Sequence, residues 1–238
     1  MRIFLILCWL TLPLLAWAYH VGPGQQQLAI DRAASQVRQA STAAESGDHA
    51  TATLHYAEAL AYLPEDQVGD RYRLRLAHAR SQMLAKQLPE SHVALQSLMD
   101  EVEQAPPEQV DPSLVSQTRD ALAHAEYYMT WLLRLEGKPA EEWEPEIESA
   151  RQHYRKLAED AKKAGDQQSL ETHQHDLESA IRLARMDLAQ LQALKLPSQC
   201  KGCCSGQCKK VSRKQAKRKS PKKGAGANLG PLPDGSGS

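Results

Sequence analysis

The sequence predicts an all-α protein built from helical hairpins that stack side by side. Strong helix formers, above all alanine and leucine, dominate the body of the chain. Apolar residues recur at spacings of three and four, and no alternating strand pattern accompanies them. Glycine or proline interrupts each helical stretch. We expect about seven helices between residues 26 and 196.

The first predicted hairpin ends at Pro64 and turns at Gly47. A glycine there can adopt the left-handed backbone that ends one helix, and Asp48 can cap the next. Small side chains or an aromatic ring fall where the two helices must touch. The residues expected to form the packing of this hairpin, including the turn glycine and the final proline, are Ala40, Gly47, Ala52, Tyr56, Ala59 and Pro64.

The remaining elements follow the same logic. A second helix pair is predicted over residues 72–102, and the prolines of residues 104–112 form a linker, because adjacent prolines cannot continue a helix. Residues 114–164 form a third, longer pair. A single last helix over residues 168–194 is expected to cover the end of the stack.

Residues 33–66 resemble a tetratricopeptide repeat, because Ala40, Gly47, Asp48, Ala52, Tyr56, Ala59, Leu60 and Pro64 fall at the spacing of that family. Residues 72–106 look like a second, degenerate copy, and residues 113–164 keep only the helix–turn–helix form. The resemblance implies a stack that binds peptides or other proteins in its concave surface, without an active site or a small-molecule substrate. No common catalytic or phosphate-binding motif is present, so we expect a protein that is not an enzyme.

The N-terminal residues 1–18 have the pattern of a cleaved signal peptide. Arg2 precedes an apolar run, and Ala16 and Ala18 place small residues before the expected cleavage site. Residues 19–25 are a linker. We therefore expect an exported bacterial protein, periplasmic or secreted. The alternative is an N-terminal membrane anchor, for which the run is short of the roughly 20 residues that a span needs.

The formal net charge of zero conceals an acidic body and a basic tail. Residues 19–199 contain 28 acidic and 18 basic side chains, whereas residues 200–223 contain 10 basic and no acidic ones. Residues 211–238 continue as a basic and then Gly/Pro/Ser-rich segment that is expected to be disordered. The basic run predicts binding to a polyanion, or else a solubilising tail. Its residues are Lys209, Lys210, Arg213, Lys214, Lys217, Arg218, Lys219, Lys222 and Lys223.

Residues 197–210 hold four cysteines within nine positions: Cys200, Cys203, Cys204 and Cys208. As thiolates they could surround Zn²⁺ or Cu⁺. In an exported protein, disulfides are the competing outcome. A metal-binding or thiol-active protein acting through this cluster is therefore the alternative function.

Four aromatic residues are the candidate contacts for a partner: Tyr127, Tyr128, Trp131 and Trp143. Exposed aromatic side chains anchor partner peptides in many complexes. The competing and weightier interpretation places them in the core, since large apolar side chains are usually buried. The sequence identifies no particular protein or peptide partner.

Overall fold

The computed structural model describes residues 23–201, together with Trp9 and Thr11 of the N-terminal segment. Over residues 23–201 the chain is helical and contains no strand, which confirms the all-α prediction. The eight α-helices of residues 23–201 are α1 Pro23–Glu45, α2 His49–Tyr62, α3 Val68–Leu84, α4 Leu88–Gln104, α5 Pro112–Leu135, α6 Ala140–Ala164, α7 Gln167–Arg185 and α8 Leu188–Ala193, with a 3₁₀ turn at Ser198–Cys200. None of the described helices is long and apolar enough to cross a bilayer.

The helices form three consecutive hairpins, α1–α2, α3–α4 and α5–α6, followed by α7. Each helix from α1 to α6 packs against the next one in the chain. The first helices of the second and third hairpins, α3 and α5, also contact each other. The hairpins are therefore stacked, as the sequence predicts.

The first two hairpins repeat with an offset of 39 residues. Ala40 and Ala52 are fully buried where α1 crosses α2, and Ala79 and Ser91 are fully buried at the corresponding crossing of α3 and α4. The Ser91 hydroxyl donates a hydrogen bond of 2.7 Å to the Ala79 carbonyl. Small residues therefore let the two helices of each hairpin approach closely.

Four turns share one geometry. Gly47, Lys86, Gly137 and Gly165 all have a left-handed backbone, with φ of 82°, 67°, 74° and 73°. In each turn the next N–H bonds to a carbonyl five residues earlier, at 2.9 to 3.0 Å, which is the Schellman ending of a helix. Lys86 lies 39 residues after Gly47, so the second hairpin keeps the turn without its glycine.

Helix α5 is the centre of the molecule. Residues 125–134 are all buried, so this helix is enclosed on every side over nearly three turns. Helices α3, α4, α6 and α8 and the 3₁₀ turn surround it. A smaller, separate apolar cluster joins α1, α2 and α3 and consists of Ala40, Ala52, Tyr56, Ala59 and Leu74.

The structure differs from the sequence-based expectation at both ends of the domain. Helix α1 begins at Pro23, within the predicted linker, because proline is well suited to the first turn of a helix. The predicted last helix is broken at Met186, whose backbone is extended. Asp187 and Gln190 then form a reciprocal capping box that starts α8. The domain continues beyond Leu196 to the turn that contains Cys200.

Candidate functional site

The chain reverses after α7 and returns across the stack. Residues 186–201, called the C-terminal segment from here on, contact α5 through α8 and contact both α3 and α5 through the 3₁₀ turn. Leu191 is 1% exposed and Cys200 is 3% exposed. The Cys200 Sγ donates to the Tyr128 carbonyl at 3.6 Å. One face of the stack is therefore covered by a peptide-like part of the same chain.

Arg134 fixes the start of the C-terminal segment. Its guanidinium, which is buried on α5, donates hydrogen bonds to the carbonyls of Leu183 and Met186. These carbonyls belong to the end of α7, where no helical partner is available for them. The guanidinium also lies 4.6 Å from the centroid of the Trp143 ring, in a cation–π contact. Arg134 therefore sets the direction in which the chain leaves α7.

Three of the four predicted partner-contact aromatics lie in the core. Tyr127, Tyr128 and Trp131 are buried, and the first two rings meet edge to face at 5.6 Å. They are buried because α5 has neighbours on all sides, which agrees with the weightier of the two interpretations and not with an exposed partner contact. Trp143 is half-buried and packs on Arg134. None of the four forms an open docking surface in this structure.

The predicted cysteine cluster and basic run fall almost wholly beyond the described residues. Cys200 is described, and it packs in the main core beside α5. Cys203, Cys204, Cys208 and the basic residues between 209 and 223 lie outside the described part of the chain. Metal binding or disulfide formation by the cysteines, and polyanion binding by the tail, stay predictions.

A buried polar cluster lies between α4, α5 and α6, and sequence reasoning missed it. His92, Glu126 and Glu146 each direct one ligand atom into a space where these atoms are within 4.8 Å of one another. The His92 Nε2 is 3.0 Å from the Glu146 Oε2. The His153 Nε2, also on α6, is 3.7 Å from the Glu126 Oε1. Three helices from two hairpins thus converge on one carboxyl group.

Glu126 is the most constrained member of this polar cluster. It is 2% exposed, and its Oε1 accepts a hydrogen bond of 2.7 Å from the Ser149 hydroxyl. Its Oε2 is buried and has no hydrogen-bond partner. Burial raises the pKa of Glu126 to about 8, against the lowering effect of Ser149 and with a smaller rise from the Glu146 charge. Burial also lowers the pKa of His153, and the nearby Arg119 adds to that effect.

One sequence signal pointed to Glu126. It lies four residues after Leu122 and three before Met129, on the apolar stripe of α5. A carboxylate on such a stripe needs a buried partner, because desolvating an isolated charge is costly. The sequence alone does not place His92 or Glu146 beside it, because their convergence depends on how the hairpins stack.

Comparisons of the chain with known protein families, proteins and structures find no relative. No protein-family model, no curated protein and no solved structure matches the chain. The observed class is a stack of α-helical hairpins with a returning C-terminal segment.

Proposed function

We propose that the protein is an exported, non-enzymatic scaffold for protein–protein interaction, whose docking face is the one formed by α3 and α5. The observation that carries this proposal is the C-terminal segment. It is 16 residues long, has only one short helix, and packs on that face mainly through apolar side chains. The face therefore has the shape and the chemistry to hold a peptide.

The bound segment defines the chemistry of the partner. Leu191 fills the core beside α5, and Leu194 and Leu196 pack at its margin. A partner segment with similarly spaced leucines could occupy the same face once the C-terminal segment leaves. Because the segment belongs to the same chain, it competes at an effective concentration of the order of millimolar. Binding of a partner is therefore coupled to release of the segment.

The resemblance to tetratricopeptide repeats supports the same function. Proteins of that family bind peptides on stacked hairpins, and small residues at the helix crossings are common to both. The offset of 39 residues is longer than the 34 residues of that repeat. The likeness therefore rests on the hairpin and its turn, not on the repeat length. In this proposal the basic run beyond Lys201 supplies a second contact, to a polyanion.

The test uses a fluorescent peptide of residues 187–201 and the full mature chain. Leu191→Asp in the chain should release the C-terminal segment, which hydrogen exchange of residues 187–201 would report. We expect this variant to bind the peptide at about micromolar Kd by fluorescence anisotropy, and the unchanged chain to bind at least about tenfold more weakly.

Leu54→Asp is the matched control, because Leu54 is 65% exposed on α2 and away from this face. It should behave as the unchanged chain does. A peptide carrying Leu191→Asp should not bind either form. If the segment is released, circular dichroism is unchanged and the peptide still fails to bind, the α3–α5 face is not a docking site.

A further inference from the structure

We propose that His92, Glu126 and Glu146 form a binding site for a divalent transition-metal ion, with Zn²⁺ as the best match, at the junction of the second and third hairpins. This proposal is independent of the docking function above. It rests on the geometry of the buried polar cluster, on its unsatisfied atoms and on the chemistry of its ligands.

The spacing of the ligand atoms fits an ion. Around a tetrahedral Zn²⁺ with bonds of about 2.0–2.1 Å, neighbouring ligand atoms are about 3.3–3.5 Å apart. Here the Nε2 of His92 and the Oε2 of Glu146 are 3.0 Å apart, and all three ligand atoms lie within 4.8 Å of one another. Displacements of the three ligand atoms by about one ångström or less would bring them to coordination distance of a common ion.

Two of the converging residues are deeply buried, and each carries a side-chain atom without a hydrogen-bond partner. Glu126 is 2% exposed and its Oε2 has no partner; His92 is 6% exposed and its Nε2 has none. The 3.0 Å approach of His92 to Glu146 therefore lacks the alignment of a hydrogen bond. Unsatisfied buried polar atoms are costly, and a cation between them would satisfy both at once.

Surrounding groups are placed to orient the ligands. The Ser149 hydroxyl donates to the Oε1 of Glu126, and the Oε2 of the same carboxyl group has no hydrogen-bond partner. Such second-shell hydrogen bonds commonly hold metal ligands in position. His153, 3.7 Å from the Glu126 Oε1, is the nearest additional donor. Glu146 is partly exposed, which gives an ion a route from solvent.

The ligand set selects the kind of ion. One imidazole and two carboxylates suit Zn²⁺ and its first-row neighbours. Ca²⁺ prefers six to eight oxygen ligands, and Cu⁺ prefers sulfur, so neither matches. With the ligands on α4, α5 and α6, the bound ion would join the second hairpin to the third. The expected effect is a stiffer and more stable stack.

The direct test measures Zn²⁺ binding to the mature chain in which Cys203, Cys204 and Cys208 are changed to Ser, so that the predicted cysteine cluster cannot contribute. After chelator treatment, competition with a chromophoric chelator should give one ion per chain. At a free Zn²⁺ concentration of about 100 times the Kd, the melting temperature should rise by roughly 5–10 °C.

Variants then assign the site. Glu126→Gln keeps the size of the side chain and an acceptor for Ser149, and it should weaken Zn²⁺ binding by at least about 100-fold, as should His92→Gln. Ser149→Ala should weaken it by about 10–100-fold. Glu148→Gln, a partly exposed carboxylate on the same helix as Glu146, is the matched control and should leave the Kd unchanged.

Co²⁺ provides a readout of ligand type. Bound at this site it should give ligand-field bands without a thiolate charge-transfer band, and Glu126→Gln should abolish them. The proposal is overturned if the cysteine-substituted chain binds no Zn²⁺, or if the Glu126 and His92 variants bind it as tightly as their parent.

Discussion

Lys86 should be replaceable by glycine with a gain in stability. Among the described residues it is the only one other than glycine with a left-handed backbone, at φ 67°. Glycine occupies the corresponding turns at 47, 137 and 165. The Lys86 side chain is exposed, so Lys86→Gly removes few packing contacts. The change therefore isolates the energy of the backbone conformation.

The expected gain is the difference of two opposing effects. A left-handed backbone costs a residue with a Cβ atom roughly 1–2 kcal/mol. Introducing glycine also makes the unfolded chain more flexible, which costs about 0.4–1 kcal/mol. The net gain should be about 0.5–1 kcal/mol in the free energy of unfolding. For a domain of this size the melting temperature should then rise by about 1–4 °C.

Urea unfolding followed by far-ultraviolet circular dichroism is the assay. Lys86→Ala keeps a Cβ at the same φ and is the control, so its midpoint should stay near that of the unchanged chain. Gly47→Ala tests the reverse change. A Cβ there would meet no atom within 4 Å, so its loss of stability would come from the backbone alone. If Lys86→Gly is no more stable than Lys86→Ala at an equal m value, the argument from turn geometry is wrong.

Three further predictions concern hydrogen bonds and buried charge. Ser91→Ala should lower the free energy of unfolding by about 1 kcal/mol in urea titrations, because it removes the buried hydrogen bond to Ala79, and Ser91→Leu should cost more because the helices are in contact there. Hydrogen bonds from the side chain and backbone of Ser169 lower the pKa of the capping Asp166. The contribution of Asp166 to folding stability is therefore present above pH 3.8 and is lost as the pH falls through the lowered pKa. Asp166→Asn keeps the cap, so its acid-unfolding curve, followed by circular dichroism, should lack this loss of stability. Burial raises the pKa of Asp176, whose carboxylate oxygens lack hydrogen bonds. The unchanged chain therefore loses stability as the pH rises from 3.8 through the raised pKa. Asp176→Asn should have a higher urea midpoint than the unchanged chain at about pH 7, and this difference should disappear toward about pH 4. Equal midpoint differences at both pH values would contradict this prediction.

The helices and most of their ends follow from local signals. Gly47 and Gly165 end helices where the sequence places them, and Asp48 and Asp166 cap the helices that follow. The turn at Lys86 does not follow from its own residues. It adopts the geometry of the Gly47 turn because the same small-residue crossing brings its two helices together.

The sequence contains a signal that predicts the break at Met186. Asp187 and Gln190 have the spacing of a capping box, which marks a helix start. Leu188 and Leu191 nevertheless continue the apolar period of α7, and this longer signal predicted one unbroken helix. Arg134 decides the outcome, because its guanidinium donates hydrogen bonds to the carbonyls of Leu183 and Met186 at the end of α7. The residues in this contact are about 50 positions apart, so no local sequence pattern predicts it.

The enclosure of α5 on every side, and the meeting of His92 with Glu126, could not be predicted from the sequence for a related reason. Helical periodicity shows which side of a helix is apolar. It does not show how many neighbours a helix has. Helix α5 is enclosed by elements both before and after it in the chain, so residues on its less apolar side are buried as well.

The returning C-terminal segment has a consequence for how the protein is made. Leu191 and Cys200, which complete the core around α5, are synthesised more than 50 residues after the end of that helix. The small cluster of α1, α2 and α3 can assemble as soon as these three helices leave the ribosome. One side of helix α5 stays uncovered until the C-terminal segment has been synthesised. A chain that ends before residue 191 would therefore leave part of α5 uncovered, even though helices α1 to α7 are complete.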